Sequence, residues 1–357
     1  MEALLGKTLF ELETIAQQVG LPSYAAKQLA VWLYRKHAGS VDEMTDVSLS
    51  GRQKLKEQYV IGRTKPVKFR QSSDGTKKYL FRTASNKTIE TVYIPEKRRA
   101  TLCVSSQAGC KINCLFCMTG KQGFSGQLSS TEIINQILSV PESDILTNIV
   151  FMGMGEPFDN TEEVLRALEI IVSDYGFGWS PKRVTVSSVG LVSGLKRFLE
   201  KSRCHLAISL HSPFHEERRQ LIPAEKSFPI ATTIELLKKY DFSHQQRISF
   251  EYIVFGEFND SKEHALATAR LLRGLECRVN LIRYHAIPCV DLPSTREDRI
   301  IAFRDFLNSY GIITTIRTSR GEDISAACGM LSTAETTKPA NRTLSLPMQA
   351  RPHLGEH

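Results

Sequence analysis

The chain contains no apolar run approaching the roughly 18 to 20 residues needed to cross a bilayer. Its opening, MEALLGKTLFELE, lacks the basic, then apolar, then small-residue order of a secretory leader. These absences predict a cytoplasmic protein with no membrane partner. In that compartment eight cysteines suggest metal binding or redox chemistry rather than a disulfide scaffold. The cysteines also leave a gap: Cys110, Cys114 and Cys117 lie together in GCKINCLFCMTG, and no second close pair follows. A closed structural zinc site takes four ligands, usually as two pairs separated by a longer insert. A cubane iron–sulfur cluster is normally held by four thiolates, so three would leave one iron open to an external molecule. Zinc, or thiols that are merely buried, stays open as a reading of the triplet alone.

A length of 357 residues exceeds an ordinary single core and predicts one large α/β domain with a smaller appendage. The net charge is +8, with 46 Lys and Arg against 38 Asp and Glu. Residues 1–100 hold 18 of those bases and 10 of the acids, which leaves 28 against 28 in the rest. A surplus confined to one end is the footprint of a phosphate-backbone partner; a solvated basic face is the alternative.

The first 60 residues read as short helices in LFELETIAQQVG, YAAKQLAVWLYRKHAG and SGRQKLKEQYV. Trp32 and Tyr34 in this basic module are expected in its core. From Lys65 the pattern alternates through PVKFRQ, KKYLFRT, KTIETVYIP and RATLCVSS, as strands do. After Gly109, apolar strands TNIVFMGM, KRVTVSSVG, CHLAISLHS, RISFEYIVF, CRVNLIRYH and GIITTIRT alternate with helical stretches near 131–139, 162–173, 193–201, 231–240, 261–273 and 296–309. Serial βα units with continuous apolar strands build a parallel sheet closing toward a barrel, with the site at the C-terminal strand ends. Those ends are polar here: GMGEP, SSVG, SLHS and RYH. The predicted architecture is a partial (βα)6-type barrel over 101–331, an N-terminal helical RNA-binding domain over 1–62, a short β linker over 63–100, and a disordered tail over 332–357.

The CxxxCxxC spacing, with Phe116 just before the last cysteine, resembles the signature of radical S-adenosylmethionine (SAM) enzymes. RATLCVSSQAGCKINCLFCMTGKQGF, IVFMGMGEPFDN, ISLHSPFHEERRQLIP and TRGEDISAACG, taken together, resemble the RlmN and Cfr family of radical SAM RNA methyltransferases over roughly residues 1–331.

The resemblance implies a [4Fe–4S] cluster on Cys110, Cys114 and Cys117, with SAM on its open iron. Gly155, Glu156, Ser187, Ser209, Leu210, His211 and His285 would contact SAM, although His285 stands where the family usually has asparagine. Carbon 2 of adenine is electron-poor and cannot attack a methyl sulfonium, so a radical route is needed. In the family's scheme Cys328 takes a methyl from one SAM as a thioether, and a second SAM supplies the radical that activates it. Glu90 then accepts the ring proton, and Cys103 attacks the Cys328 sulfur, leaving a transient disulfide. The implied targets are adenosine 2503 of 23S rRNA and adenosine 37 of tRNA, modified by a monomer fed by flavodoxin or ferredoxin. Carbon 8 methylation, as the LIRY stretch suggests, is one alternative; a zinc-stabilised RNA-binding protein without catalysis is another. Cys204 and Cys277 begin apolar strands and read as buried small hydrophobes; Cys289 has no assigned role.

Overall fold

A computed structural model describes residues 1–242, 247–288, 290–332 and 344–345. Ten strands form its main sheet, in the order Ile313–Ile316, Cys277–Arg283, Ile248–Val254, His205–Ser209, Val184–Ser188, Asn148–Phe151, Arg99–Cys103, Thr88–Glu96, Lys77–Arg82 and Lys68–Gln71. The first seven pair in parallel and the last three are antiparallel. Six βα units are thus followed by a seventh parallel strand, and the two outermost strands are not paired to each other. The three strands before Arg99 extend the barrel sheet at its antiparallel edge.

The parallel strands run through apolar positions such as Ile149, Val186, Leu206, Ile208, Phe250 and Leu281, all buried. Helices Ser130–Leu138, Thr161–Val172, Val192–Lys201, Ile230–Leu237, Lys262–Leu271 and Glu297–Ser309 alternate with them. Ser129 opens the first of these with a capping box to Glu132, which satisfies two backbone N–H groups that would otherwise lack partners. That helix then presents Gln136, fully buried, to the sheet: its amide accepts from Ser105 N at 2.8 Å and donates to Ser105 O at 2.9 Å. The residues just beyond Cys103 are fixed by this clamp.

Helices Leu9–Gln18, Ala25–Tyr34 and Leu49–Gln58 form the N-terminal module. It sits against the first barrel helix, where Ser130 Oγ donates to Gly6 O at 3.0 Å and Thr131 Oγ1 to Leu5 O at 2.6 Å. Tyr34 is core, and its hydroxyl donates to Lys7 O at 2.5 Å. Trp32 departs from expectation: it is only half-buried, with Lys36 Nζ 3.6 Å over its ring. Among the described residues no helix is long and apolar enough to cross a membrane. The expected tail, apart from Ser332 and the short strand Leu344–Ser345, lies outside the described residues, as does Cys289.

Candidate active site

Successive residues of a strand face opposite sides, so register decides what enters the barrel. Cys103 pairs with Val150, Val150 with Thr185, Ser187 with Ala207, Ser209 with Glu251, Glu251 with Asn280 and Asn280 with Thr315. Cys103, Met152, Ser187, Ser209, Glu251, Ile282 and Arg317 therefore share the inner face. All of these but Cys103 line an open cleft. Cys110, Cys114, Cys117, Gly155, Glu156, His211 and Cys328 also line it. The sheet register carries the same face outward: Val92 pairs with Cys103 and Lys78 with Val92, which puts Lys78 and Glu90 on the side of Cys103.

The three-cysteine loop is held by backbone bonds to neighbouring segments. Cys110 N donates to Gly123 O at 3.2 Å, Leu115 N to Leu221 O at 2.8 Å and Met118 N to Gly329 O at 2.7 Å. Phe116 packs edge-on against His211, with ring centroids 4.8 Å apart. Gly109 is required at the entry: its φ is +80°, and a Cβ there would fall 1.8 Å from Gly123 O. Burial pushes the Cys110 thiol up to about 12 and that of Cys114 well above its ordinary value, with the neighbouring thiols and Glu156 adding repulsion. Thiolates buried beside a carboxylate need positive charge from elsewhere, which metal supplies. Among the described residues no group of three His, Cys, Asp or Glu converges on a single ion. The thiols of a cubane bind separate irons and need not converge, so the donor set fits a cluster with one open iron.

Opposite this loop, Gly155 has φ +102° and faces Gln107, whose Cβ would lie 2.5 Å from an added Cβ. The close approach lets Gln107 Oε1 accept from Glu156 N at 2.8 Å. Glu156 is buried and accepts from Phe158 N at 3.0 Å and Val189 N at 2.9 Å. Burial raises its carboxyl to about 7, against the lowering effect of those N–H groups, so an ammonium ligand would find a carboxylate that gains by pairing. His211, at φ +56°, accepts from Ile253 N through Nδ1 at 2.9 Å, which leaves the hydrogen on Nε2. Burial, then Arg218, lower it to about 3, so it is a neutral donor.

Cys328 is exposed into the cleft, and its loop is tied down on several sides. Gly329 O holds the cysteine loop, as above; Leu331 O accepts from Thr119 Oγ1 at 2.7 Å, and Ser332 N donates to Glu90 Oε2 at 3.0 Å. Lys78 Nζ donates to Ser325 O at 3.2 Å and pairs with Glu90 Oε1 at 3.1 Å. Burial raises the Glu90 carboxyl, and Lys78 opposes it. Burial likewise raises Cys103 to about 12, and the next largest influence is Cys328. The two thiols are electrostatic neighbours across the cleft wall.

Two expected contacts are not brought into the cleft. The Leu210 side chain is fully buried; its N–H donates to Glu251 O at 2.9 Å, and its carbonyl accepts from Arg218 Nε at 3.0 Å. His285 turns away, with Nδ1 3.0 Å from Glu322 Oε1. Cys204 is buried as expected, whereas Cys277 is only half-buried. Glu251 and Arg317 went unnoticed in the sequence. Glu251 Oε1 accepts from Ser249 Oγ at 3.0 Å and Asn280 Nδ2 at 2.8 Å, and Thr315 Oγ1 donates to Asn280 Oδ1 at 2.8 Å. Arg317 Nη1 lies 3.4 Å from Glu251 Oε2, and its charge counters the rise of both Cys103 and Cys328. A carboxylate in the middle of the apolar run ISFEYIV was the available signal, since buried charge demands a partner.

Barrel and three-thiol loop together define a radical SAM protein, a class that uses SAM and a [4Fe–4S] cluster. The radical SAM superfamily model matches residues 104–269, and the model of the ribosomal RNA large subunit methyltransferase N-terminal domain matches residues 3–61. The chain belongs to the RlmN family. It is 60% identical to a probable dual-specificity RNA methyltransferase RlmN of Phocaeicola vulgatus, covering 96% of this chain and 98% of that one. The dual-specificity RNA methyltransferase RlmN of Alcanivorax borkumensis is 39% identical over 92% of this chain and 89% of its own. The crystal structure of a radical SAM methyltransferase from Sphaerobacter thermophilus superposes with a TM-score of 0.86 at 38% identity, covering 92% of this chain and 99% of that one.

Proposed function

We propose that this chain is a cytoplasmic, monomeric methyltransferase that modifies carbon 2 of adenine at adenosine 2503 of 23S rRNA and adenosine 37 of tRNA. The observation that carries the reading is the Cys328 loop, bonded on one side to the cysteine loop and on the other to Glu90. One segment thereby links the residues to which this reading gives the roles of carrier thiol, radical source and proton acceptor. Cys110, Cys114 and Cys117 would hold the [4Fe–4S] cluster, which when bound supplies the electron that opens a carbon–sulfur bond of SAM, delivered by flavodoxin or ferredoxin.

The chain's own groups divide the remaining work. Glu156 takes the SAM ammonium, and Ser187, Ser209 and the Nε2–H of His211 face the rest of the ligand. Cys328 Sγ holds the methyl as a thioether, so two SAM molecules serve each turnover, one for the methyl and one for the radical. The SAM-derived radical takes one hydrogen from that methyl; once the carbon is joined to the ring, Glu90 removes the carbon 2 proton, and the one electron left on the adduct would be returned to the cluster held by Cys110, Cys114 and Cys117. The Cys103 thiolate attacks Cys328 Sγ; a sulfur–sulfur bond forms, the sulfur–carbon bond breaks, and the carbon leaves with the electron pair and takes a proton. The electron donor reduces the disulfide.

The reading is tested by digesting RNA incubated with reconstituted enzyme and separating the nucleosides beside 2-methyl- and 8-methyladenosine standards. The 2-methyl isomer is expected; the 8-methyl isomer would overturn the regiochemistry, and no methylated adenosine the whole assignment.

Lys78 gives a separate handle on Glu90. Because Lys78 holds the Glu90 carboxyl down against burial, Lys78→Met should raise it further. A base must be ionised to act, so the acid limb of the methylation pH profile should move to higher pH. A limb that stays put would remove Glu90 from the proton-accepting role.

A further inference from the structure

The even charge balance of residues 101–357 hides a segregation of cations at one end of the barrel, where they join Arg99 from the preceding segment. At the N-terminal end of the barrel, opposite the cleft, the inner-face positions at or just before the strand starts are Arg99, His205, Arg247 and Arg278, since Thr185 pairs with His205 and Ser249 with Arg278. Lys182 lies in the turn Pro181–Arg183 that leads into the neighbouring strand. Arg99, Lys182 and Arg247 are exposed. Among the described residues no ion pair joins a carboxylate to any of these four cations; Arg99 Nε instead donates to Asn148 Oδ1 at 3.3 Å.

The groups feel one another. Burial, then Arg247, Lys182 and Arg278, lower His205 to about 4, and burial, then Arg278 and Arg99, lower Arg247. Such a ring costs folding stability, which is the opposite of what that end of a barrel ordinarily provides. His205 Nδ1 accepts from Arg247 N at 2.9 Å, so its Nε2–H adds a neutral donor. Through Arg183 the ring adjoins a second cleft between the barrel and the helical module, lined by Trp179, Arg183 and His37, the last 3.3 Å from Asp144. Uncompensated cations beside an aromatic surface are what a nucleic acid backbone uses.

We propose that this end of the barrel is a second RNA-backbone site, where Arg99, Lys182, Arg247 and Arg278 take phosphates of the same RNA whose adenine enters the opposite end. The proposal rests on the RNA reading above. At about 3.3 Å per residue, strands of five to seven residues separate the two ends by roughly 20 Å, so an RNA extending well beyond the target loop is needed to reach both.

The test compares holoenzyme with the double variant Arg247→Glu, Arg278→Glu, binding either a domain-length 23S rRNA transcript or a stem-loop carrying only the target adenine, across a salt series. For the transcript, affinity is expected to fall about tenfold or more, and the slope of log affinity on log salt to shrink by about two. Stem-loop and SAM binding should be unchanged, and Arg247→Gln, Arg278→Gln should give a smaller transcript effect. Unchanged transcript affinity and slope would overturn the proposal. So would a parallel loss of stem-loop binding, which would mark a general disturbance, or inorganic phosphate binding these arginines while transcript affinity stays constant, which would mark a free-anion site. A wild-type enzyme that binds neither RNA would instead overturn the RNA reading itself.

Discussion

Cys328→Ala should reduce RNA methylation by at least about a thousandfold, because the proposed methyl carrier is gone and its neighbouring thiol, Cys103, is buried outside the cleft lining. The cluster should survive, since the Cys328 segment holds the cysteine loop through the backbone of Gly329 and Leu331 rather than through the thiol. Iron and sulfide content and SAM binding are therefore expected to match wild type. Cys103→Ala should fail differently: methyl loading and carbon–carbon bond formation proceed, but nothing releases the product. RNA should then accumulate covalently on Cys328, visible as a protein–RNA adduct that survives denaturation and carries its link on the peptide containing that residue. Undiminished methylation by Cys328→Ala would sink the scheme, and a Cys103→Ala enzyme that turns over freely would remove its resolving step.

The second large effect is on stability, at Arg218. Its side chain is fully buried, paired with Glu225, and donates to Leu210 O at 3.0 Å, Val189 O at 2.9 Å and Ser209 O at 2.7 Å. Those carbonyls lie at the C-terminal ends of two neighbouring strands, Val184–Ser188 and His205–Ser209, beside the cleft. Arg218→Met would leave Glu225, buried and accepting from Ile230 N at 3.0 Å, with His215 Nδ1 at 2.8 Å as its remaining basic partner, and is expected to cost about 3 to 5 kcal/mol. Adding Glu225→Gln should recover part of this, leaving the unpaired carbonyls as the residual cost. Urea midpoints of the two variants and wild type measure both quantities; a midpoint unchanged by Arg218→Met would show that the hub is not structural.

The βα series was legible because each strand is a short apolar run and each helix repeats at a helical period. Strand Ile248–Val254 and helix Thr161–Val172 fall close to where the sequence places them. Helix His215–Leu221 escaped notice because HEERRQL is short and charged, and its hub arginine shows no apolar face. The polar strand ends marked the cleft correctly for Glu156, Ser187, Ser209 and His211, whose positions follow from chain direction and strand parity. Leu210 and His285 show the limit of that logic. A residue one step along a strand changes face, and a loop residue can turn to another partner, as His285 does to Glu322. The proximity of Cys103 to Cys328 depends on a loop returning from the far edge of the sheet, and no local pattern encodes it.

The bonded layer of Ser249, Glu251, Asn280, Thr315 and Arg317 underlies the cleft on the three strands farthest from Cys103. Under the proposed scheme a polar floor of this kind has a consequence for order: S-adenosylhomocysteine left by methyl loading would have to clear before a second SAM could settle above it, so loading would precede the arrival of RNA.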